Sequence, residues 1–376
     1  MKWPTIIALA LLTNPGGIIG TVAPTFVNAF VAAGMSLPDA ARMAAAEFFA
    51  MAIMLLFAPL LVRGVDRRLM ATISLGAAVL GQFLSLSTAA PTIVLLCRTM
   101  AGAGEGALFA VAIASLSAAP SPDRAFGIAI LSNQVAGTIL LALTALLTTM
   151  FPAQVAILIA GTFIAAHVVL IPALPGKLPV QTARDPISHK RQFPDLIPVL
   201  CGLGGMFLLS AGFGAVWPLI GQIGLADGFS PATLATTFSV VGLGGIAGGF
   251  AAATIGARFG RHVPLIAGPA SMALCLAATS TPAFVIAAIF VMFFWAFSLP
   301  YFLALLADID RTGGLAVLTS AMIPFGIAAG QVIAGPLLDP FGVAGVARAG
   351  SLAPIAALCL ALAGLRALRR SPVQAG

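Results

Sequence analysis

The chain has 376 residues, 60% of them hydrophobic and 8% charged, with a mean hydropathy of +1.11. No soluble globular domain reads this way; the composition is that of a protein that crosses a bilayer many times. The net charge of +7 does not point to nucleic acid, because the basic residues stand singly in short loops and form no basic domain.

Met1-Lys2 leads directly into an apolar run with no small-residue cleavage site, so the start reads as a first span rather than a removed leader. Twelve apolar runs follow, at about 5–33, 37–62, 69–88, 91–118, 125–149, 152–174, 195–225, 231–256, 263–280, 282–307, 313–337 and 344–366. We number them spans one to twelve. The breaks between them are short and carry Pro, Gly, Asp or Arg. The longest polar stretch runs from Pro175 to Asp195 and holds Lys177, Arg184, His189, Lys190 and Arg191. It divides the chain into an N-terminal bundle (1–174), a cytoplasmic linker (175–194) and a C-terminal bundle (195–376).

Of the 18 Lys and Arg residues, 15 fall at Lys2, in the loops that follow even-numbered spans, or in the tail at Arg366, Arg369 and Arg370. Arg42 and Arg348 lie near the opposite side, and Arg98 lies within a span. By the positive-inside bias both termini are expected in the cytoplasm. Cys97, Cys201, Cys275 and Cys359 all lie in apolar runs without metal-ligand spacing, and read as small buried hydrophobes.

The two halves repeat. At an offset of 194, Gly20-x-Val22-x-Pro24-x-x-x-Asn28 overlays Gly214-x-Val216-x-Pro218-x-x-x-Gln222. In the same register Gly34-Met-Ser36 meets Gly228-Phe-Ser230, and Arg67 meets Arg261. Asp123-Arg124 and Gly127 return as Asp310-Arg311 and Gly314. Six spans separate equivalent positions, so both halves keep one orientation, as in a transporter of two parallel bundles.

Span four carries charge in the stretch Arg98-Thr-Met-Ala-Gly102-Ala-Gly104-Glu105-Gly106. A charge at membrane depth costs roughly a few kcal/mol and normally faces a bundle interior or a watery cavity. Arg98 and Glu105, seven residues apart, share a helix face about 10 Å apart along the axis. The glycines remove bulk and allow close helix approach. Arg98 is expected to anchor a substrate anion or to tune a nearby carboxylate; the plainer alternative is an arginine that only positions span four. Glu105, and Glu47 at a similar depth in span two, are the candidate proton sites, since burial favours the protonated form of a carboxylate. Either could instead be a fixed ion-pair partner. Offset 194 places Val241, Met292 and Leu299 opposite Glu47, Arg98 and Glu105, so charge handling is confined to the first half.

Span one contains Thr13-Asn14-Pro15-Gly16-Gly17 and, further on, Pro24 and Asn28. Proline and glycine can break a span and free backbone groups at a cavity. Asn14 and Asn28 would then offer hydrogen bonds to substrate, as would Trp217 and Gln222 in span seven; helix-helix glue is the alternative. In span ten Phe294, Phe297 and the single tyrosine, Tyr301, fall on one stripe. An aromatic wall opposite Arg98 would suit a flat or apolar organic substrate, although packing or lipid contact explains the same stripe. His167 stands alone in span six and reads as structural. Asp66 with Arg67, and Arg258 with Arg261, are expected to pin the bundles together on the cytoplasmic side as the cavity alternates.

With these motifs in hand the chain resembles the major facilitator superfamily over nearly its full length. The likeness rests on Arg98-x-x-x-Gly102-x-Gly104 and on the basic turns Arg63-Gly-Val-Asp66-Arg67-Arg68 and Gly256-Ala-Arg258-Phe-Gly260-Arg261-His262. The span count, repeat and central loop complete it. The resemblance implies an all-α membrane protein: twelve transmembrane helices in two six-helix bundles, related by a pseudo-two-fold axis along the membrane normal. Spans one, four, seven and ten would line the central cavity. The Gly-Glu-Gly-Ala-Leu-Phe run after Ala103 is most similar to the drug and sugar efflux permease branch. That branch usually has a Gly-Pro-rich motif in span five; here span five reads Ser132-Asn133-Gln134-Val-Ala-Gly137-Thr138, and a similar pattern stands instead in span eleven, at Gly326, Gly330 and Gly335-Pro336.

The expected function is secondary active transport of a small amphipathic or aromatic organic solute, coupled to protons, with efflux favoured. Import of an organic anion such as an aromatic carboxylate, anchored by Arg98, is the alternative; a non-transporting membrane sensor is a remote one. No enzyme is expected, since no nucleophile–base or metal constellation is visible. No cofactor beyond the proton gradient, no metal and no nucleic-acid partner are expected. The protein is expected to be a monomer in a bacterial inner membrane.

Overall fold

The computed structural model describes residues 3–57, 65–88, 90–116, 119–120, 122–174, 176, 196–256, 258, 262–309 and 314–370. The described residues form helices and no strand. Apart from Gly176, the linker lies outside them.

Each expected span is found. Span two is Leu37–Leu56, three Arg67–Leu84, four Pro91–Leu116, five Pro122–Leu147, eight Pro231–Ile255, nine His262–Ala278 and ten Phe284–Ile309. Proline at a first helical position costs no hydrogen bond, and Pro91, Pro122 and Pro231 start their helices there. Span six runs Val155–Ala166 and tightens to a 3-10 turn at His167–Ala173. Spans eleven and twelve share the stretch Gly314–Gly350, which breaks at Gly342 (φ 63°), before the chain continues as Leu352–Arg370. That left-handed conformation is open to glycine at no steric cost. Eight described segments are long and apolar enough to cross a membrane, one of them covering both spans eleven and twelve. The other three spans depart for local reasons. Span two carries Asp39, Arg42 and Glu47, span three opens on Arg67-Arg68, and span nine has 17 residues.

Span one is interrupted, as Pro15-Gly16-Gly17 predicts, and span seven is interrupted at Pro218. Span one breaks into Trp3–Leu11, Asn14–Gly17 and Ile19–Ala32, with Pro24 inside the last piece. Span seven breaks into Leu196–Val216, a 3-10 turn at Trp217–Leu219, and Ile220–Ala226.

The sequence repeat is a repeat of structure. Span one ends at Gly34 (φ 92°) and span seven at Gly228 (φ 86°). In each the following amide bonds back to close the helix: Met35 N to Phe30 O at 3.1 Å, and Phe229 N to Gly224 O at 2.9 Å. Ser36 and Ser230 then cap the next helices, accepting from Asp39 N and Thr233 N at 3.2 and 3.1 Å.

The bundles meet along span two with span eleven and span five with span eight. The later half of span one also packs on Trp217–Leu219 and Ile220–Ala226 of span seven. Among the described residues spans four and ten are not packed along each other. The molecule is therefore closed on the side away from the chain's beginning. The basic turns share the opposite side: Arg124 lies over the Trp3 ring at 4.7 Å, and Arg68 Nε donates to Leu174 O at 2.8 Å.

Candidate functional site

Glycine sets the geometry of span four. A Cβ on Gly102 or Gly106 would collide with the backbone of Glu47 or Met51 in span two. One on Gly104 would strike span three at Ser74 and Ala78. The alternate glycines thus serve two faces and draw both neighbours into backbone contact.

That approach brings four polar side chains together inside the N-terminal bundle. Arg98 and Glu105 are wholly buried, and Glu47 is 2% exposed. Arg98 Nη2 forms an ion pair with Glu47 Oε2, and Arg98 Nη1 donates to Gln82 Oε1 at 2.6 Å. Gln82 Nε2 donates to Glu105 Oε1 at 2.9 Å and to Glu47 Oε1 at 3.2 Å. On the span-one side the guanidinium lies against the rings of Phe26 and Phe30, at 4.8 and 5.8 Å from their centroids. Arg98 Nε and Glu105 Oε2 have no hydrogen-bond partner.

Gln82, Phe26 and Phe30 are the residues that the reading of the sequence missed. Gln82 is the single amide of span three, set deep in its apolar second half, and that singularity was the available signal. Phe26 and Phe30 carry no mark that separates them from core aromatics.

The remaining candidates are dispersed. Asn28 and Gln222 meet across the bundle interface, Gln222 Nε2 donating to Asn28 Oδ1 at 2.8 Å. They are equivalent residues of the two repeats, so their contact marks the pseudo-two-fold axis. Trp217 Nε1 donates to Thr21 O at 3.2 Å across the same seam. Its ring begins a stack with Phe213 and Trp295, at centroid spacings of 5.6 and 4.3 Å. Asn14 is buried and accepts from Ser132 Oγ of span five at 3.0 Å. It also lines a groove of about 680 Å³ on the flank between spans one, five and six. His167 borders that groove with Nδ1 bonded to Phe163 O at 2.9 Å.

The span-ten stripe does not stand opposite Arg98. Tyr301 packs on Phe297 at 5.2 Å and approaches Ala252 O of span eight at 3.5 Å. Phe297 also borders Gly268 of span nine, and half-buried Phe294 packs on it edge to face at 6.5 Å. Helical twist turns the stripe into its own bundle, whereas Arg98 lies inside the other.

The charged turn of the first half bonds within its own bundle. Asp66 caps span three, accepting from Arg68 N at 2.9 Å and Leu69 N at 3.2 Å. Arg67 Nη1 donates to Ser115 Oγ at 2.8 Å. Arg258 is exposed in the turn after span eight, and Arg261 lies outside the described residues.

Solved structures share this architecture at low sequence identity. A point mutant of the nucleoside transporter NupG superposes with a TM-score of 0.72 at 13% identity, over 96% of this chain and 98% of that one. A D-xylose–proton symporter gives 0.70 at 15%, over 96% and 95%. The human organic anion transporter MFSD10 gives 0.66 at 15%, over 95% and 98%. FucP, a transporter of the major facilitator superfamily, gives 0.61 at 16%, over 96% and 98%, and the chain shares its fold. No family model matches the sequence, and no curated protein matches it.

Proposed function

We propose that the protein is a proton-coupled secondary transporter that moves a small amphipathic or aromatic organic solute by alternating access, with export favoured. The observation that carries this reading is the charge count of the buried cluster. One guanidinium faces two carboxyl groups in a bundle interior at membrane depth. With both carboxyls ionised the cluster would hold an uncompensated negative charge, at a cost on the order of several kcal/mol. One bound proton makes it neutral. The ion pair with Arg98 favours the charged form of Glu47 over that of Glu105, whose Oε2 has no hydrogen-bond partner, so the proton is assigned to Glu105.

Both side-chain nitrogens at the tip of Arg98 are already engaged, which favours a coupling role over direct capture of an anionic substrate. The solute site lies between the bundles, near Trp217 and the Phe213–Trp295 stack, where flat rings find stacking partners. With both termini in the cytoplasm of a bacterial inner membrane, the closed side faces outward.

The test is internal pH in proteoliposomes while organic acids, sugars and amphipathic drugs are added in turn. At least one class should move protons, and Glu105→Gln should abolish proton movement for that class. Solute flux without protons, unchanged by Glu105→Gln, would sink the coupled reading.

A further inference from the structure

Gln82 occupies an unusual position for an uncharged residue. It is fully buried, and its one amide touches all three charged members of the cluster. The amide nitrogen has two hydrogens, and each carboxyl takes one. The amide oxygen takes Arg98 Nη1. No direct bond joins Arg98 to Glu105 among the described residues; the contact between them runs through Gln82 and through Glu47, whose carboxyl neighbours that of Glu105.

This matters because the guanidinium is the stronger partner. A charge-assisted Arg–carboxylate pair is roughly twice as strong as a neutral hydrogen bond. Arg98 also has a spare donor in Nε. If Arg98 reached Glu105 it would fix that carboxyl in the ionised form and end its exchange of protons. The other charged groups of the surrounding spans stand at helix ends and cannot substitute: Asp39 and Arg42 on span two, Asp66, Arg67 and Arg68 at span three, and Asp123 and Arg124 on span five; His167, on the turn that ends span six, is bonded to Phe163 O. Span one contributes only the rings of Phe26 and Phe30. Cys97, next to Arg98, is buried beside Gly81.

We propose that Gln82 is a positioning residue for proton coupling: it holds Arg98 on the Glu47 side and so keeps Glu105 free to take up and release one proton. The proton bonds to Glu105 Oε2 from a hydronium ion, leaving water, and returns to water on release; no other bond changes. This inference rests on the proton-coupled reading above and adds to it the element that prevents a permanent ion pair.

Infrared difference spectroscopy on the full-length protein in lipid, titrated from acid to alkaline pH, tests it without a known solute. The carboxylic C=O stretch reports a protonated carboxyl. Wild type should show such a band, and Glu105→Gln should remove it. Gln82→Met should keep a band but shift its titration midpoint by at least about tenfold in proton concentration, because Arg98 then swings to Glu105 and the proton passes to the unpaired Glu47. Gln82→Asn, which keeps an amide but shortens its reach, should move the titration midpoint to at least about tenfold higher proton concentration. Circular dichroism should remain that of the wild type in any variant scored. A band that persists at the wild-type midpoint in the folded Gln82 variants overturns the inference and leaves the proton-coupled reading standing. A wild-type spectrum without a band that Glu105→Gln removes overturns both.

Discussion

The first bundle fills the crossing of spans two, three and four with Arg98, Glu47, Glu105 and Gln82, whereas the second has hydrocarbon at the equivalent positions. Val241 and Met292 are buried there among apolar neighbours, and Leu299 packs against the same core. Backbone features did not diverge in the same way. Both halves end a broken span with a left-handed glycine, cap the next helix with serine, and press glycines onto a neighbouring backbone. The shared features are those that shape and close-pack the helices of each bundle. The unshared ones are polar, and among the described residues the buried carboxyl groups, Glu47 and Glu105, lie in the first bundle alone. In the proposed function the repeat would supply the motion, and its asymmetry the coupling.

The largest expected effect comes from breaking that asymmetry at its cation. Arg98→Ala leaves two carboxyl groups buried without a countercharge, and removing one partner of a buried pair costs about 3–5 kcal/mol. Glu105→Gln removes the surplus acid and keeps the Arg98–Glu47 pair. Thermal unfolding in detergent should therefore show a large drop for Arg98→Ala and little change for Glu105→Gln. Met292→Ala, at the equivalent place in the other bundle, should cost about 2–5 kcal/mol through a cavity and leave proton movement intact. Equal destabilisation by Arg98→Ala and Glu105→Gln would show that the cluster is not organised around a single ion pair.

A smaller effect should appear in both bundles alike. A methyl at Gly102 collides with Glu47 backbone, and one at Gly248 collides with Phe293 backbone. Overpacking of this kind costs about 1–3 kcal/mol. Gly102→Ala and Gly248→Ala should lower the unfolding temperature to a similar degree, while Gly76→Ala, with nothing within 4 Å, should not. A loss in one bundle only would mean that the close crossings are not equivalent.

How much of this was legible beforehand follows the same division. Apolar runs, helix-starting prolines and the glycine–serine turns act locally, so the spans, the break in span one and the repeat can be read from neighbouring letters. Arg98, Glu47 and Glu105 stand out because charge is rare in an apolar run. Their assembly is another matter. Whether Arg98 meets Glu47, Glu105 or a cavity depends on the rotation of three helices, and that is set by Gly102, Gly104 and Gly106 acting on two faces at once. Gln82 enters only through this rotation. The span-ten stripe misled for the same reason: three aromatics on one face do not say which neighbour the face meets, and Phe297 and Tyr301 meet spans eight and nine.

The smallest expected effect lies where the two halves touch. Asn28 and Gln222 are equivalent residues joined by a 2.8 Å hydrogen bond on the pseudo-two-fold axis, and Trp217 adds a bond to Thr21 O beside it. A neutral hydrogen bond contributes about 0.5–1.5 kcal/mol net. Asn28→Ala should thus favour the state open on this side by roughly fivefold, since about 1.4 kcal/mol is a factor of ten. Gln222→Ala should do the same, and the double variant should add little, because either change removes the one bond. The measurement is the labelling rate, by a membrane-impermeant thiol reagent, of a cysteine at Thr25, which is buried just beneath the contact, with the four native cysteines replaced. Additive single effects would show that each residue holds the closed state through partners of its own. Slower labelling in either single variant would mean that the contact belongs to the open state, and would reverse the assignment of the closed side.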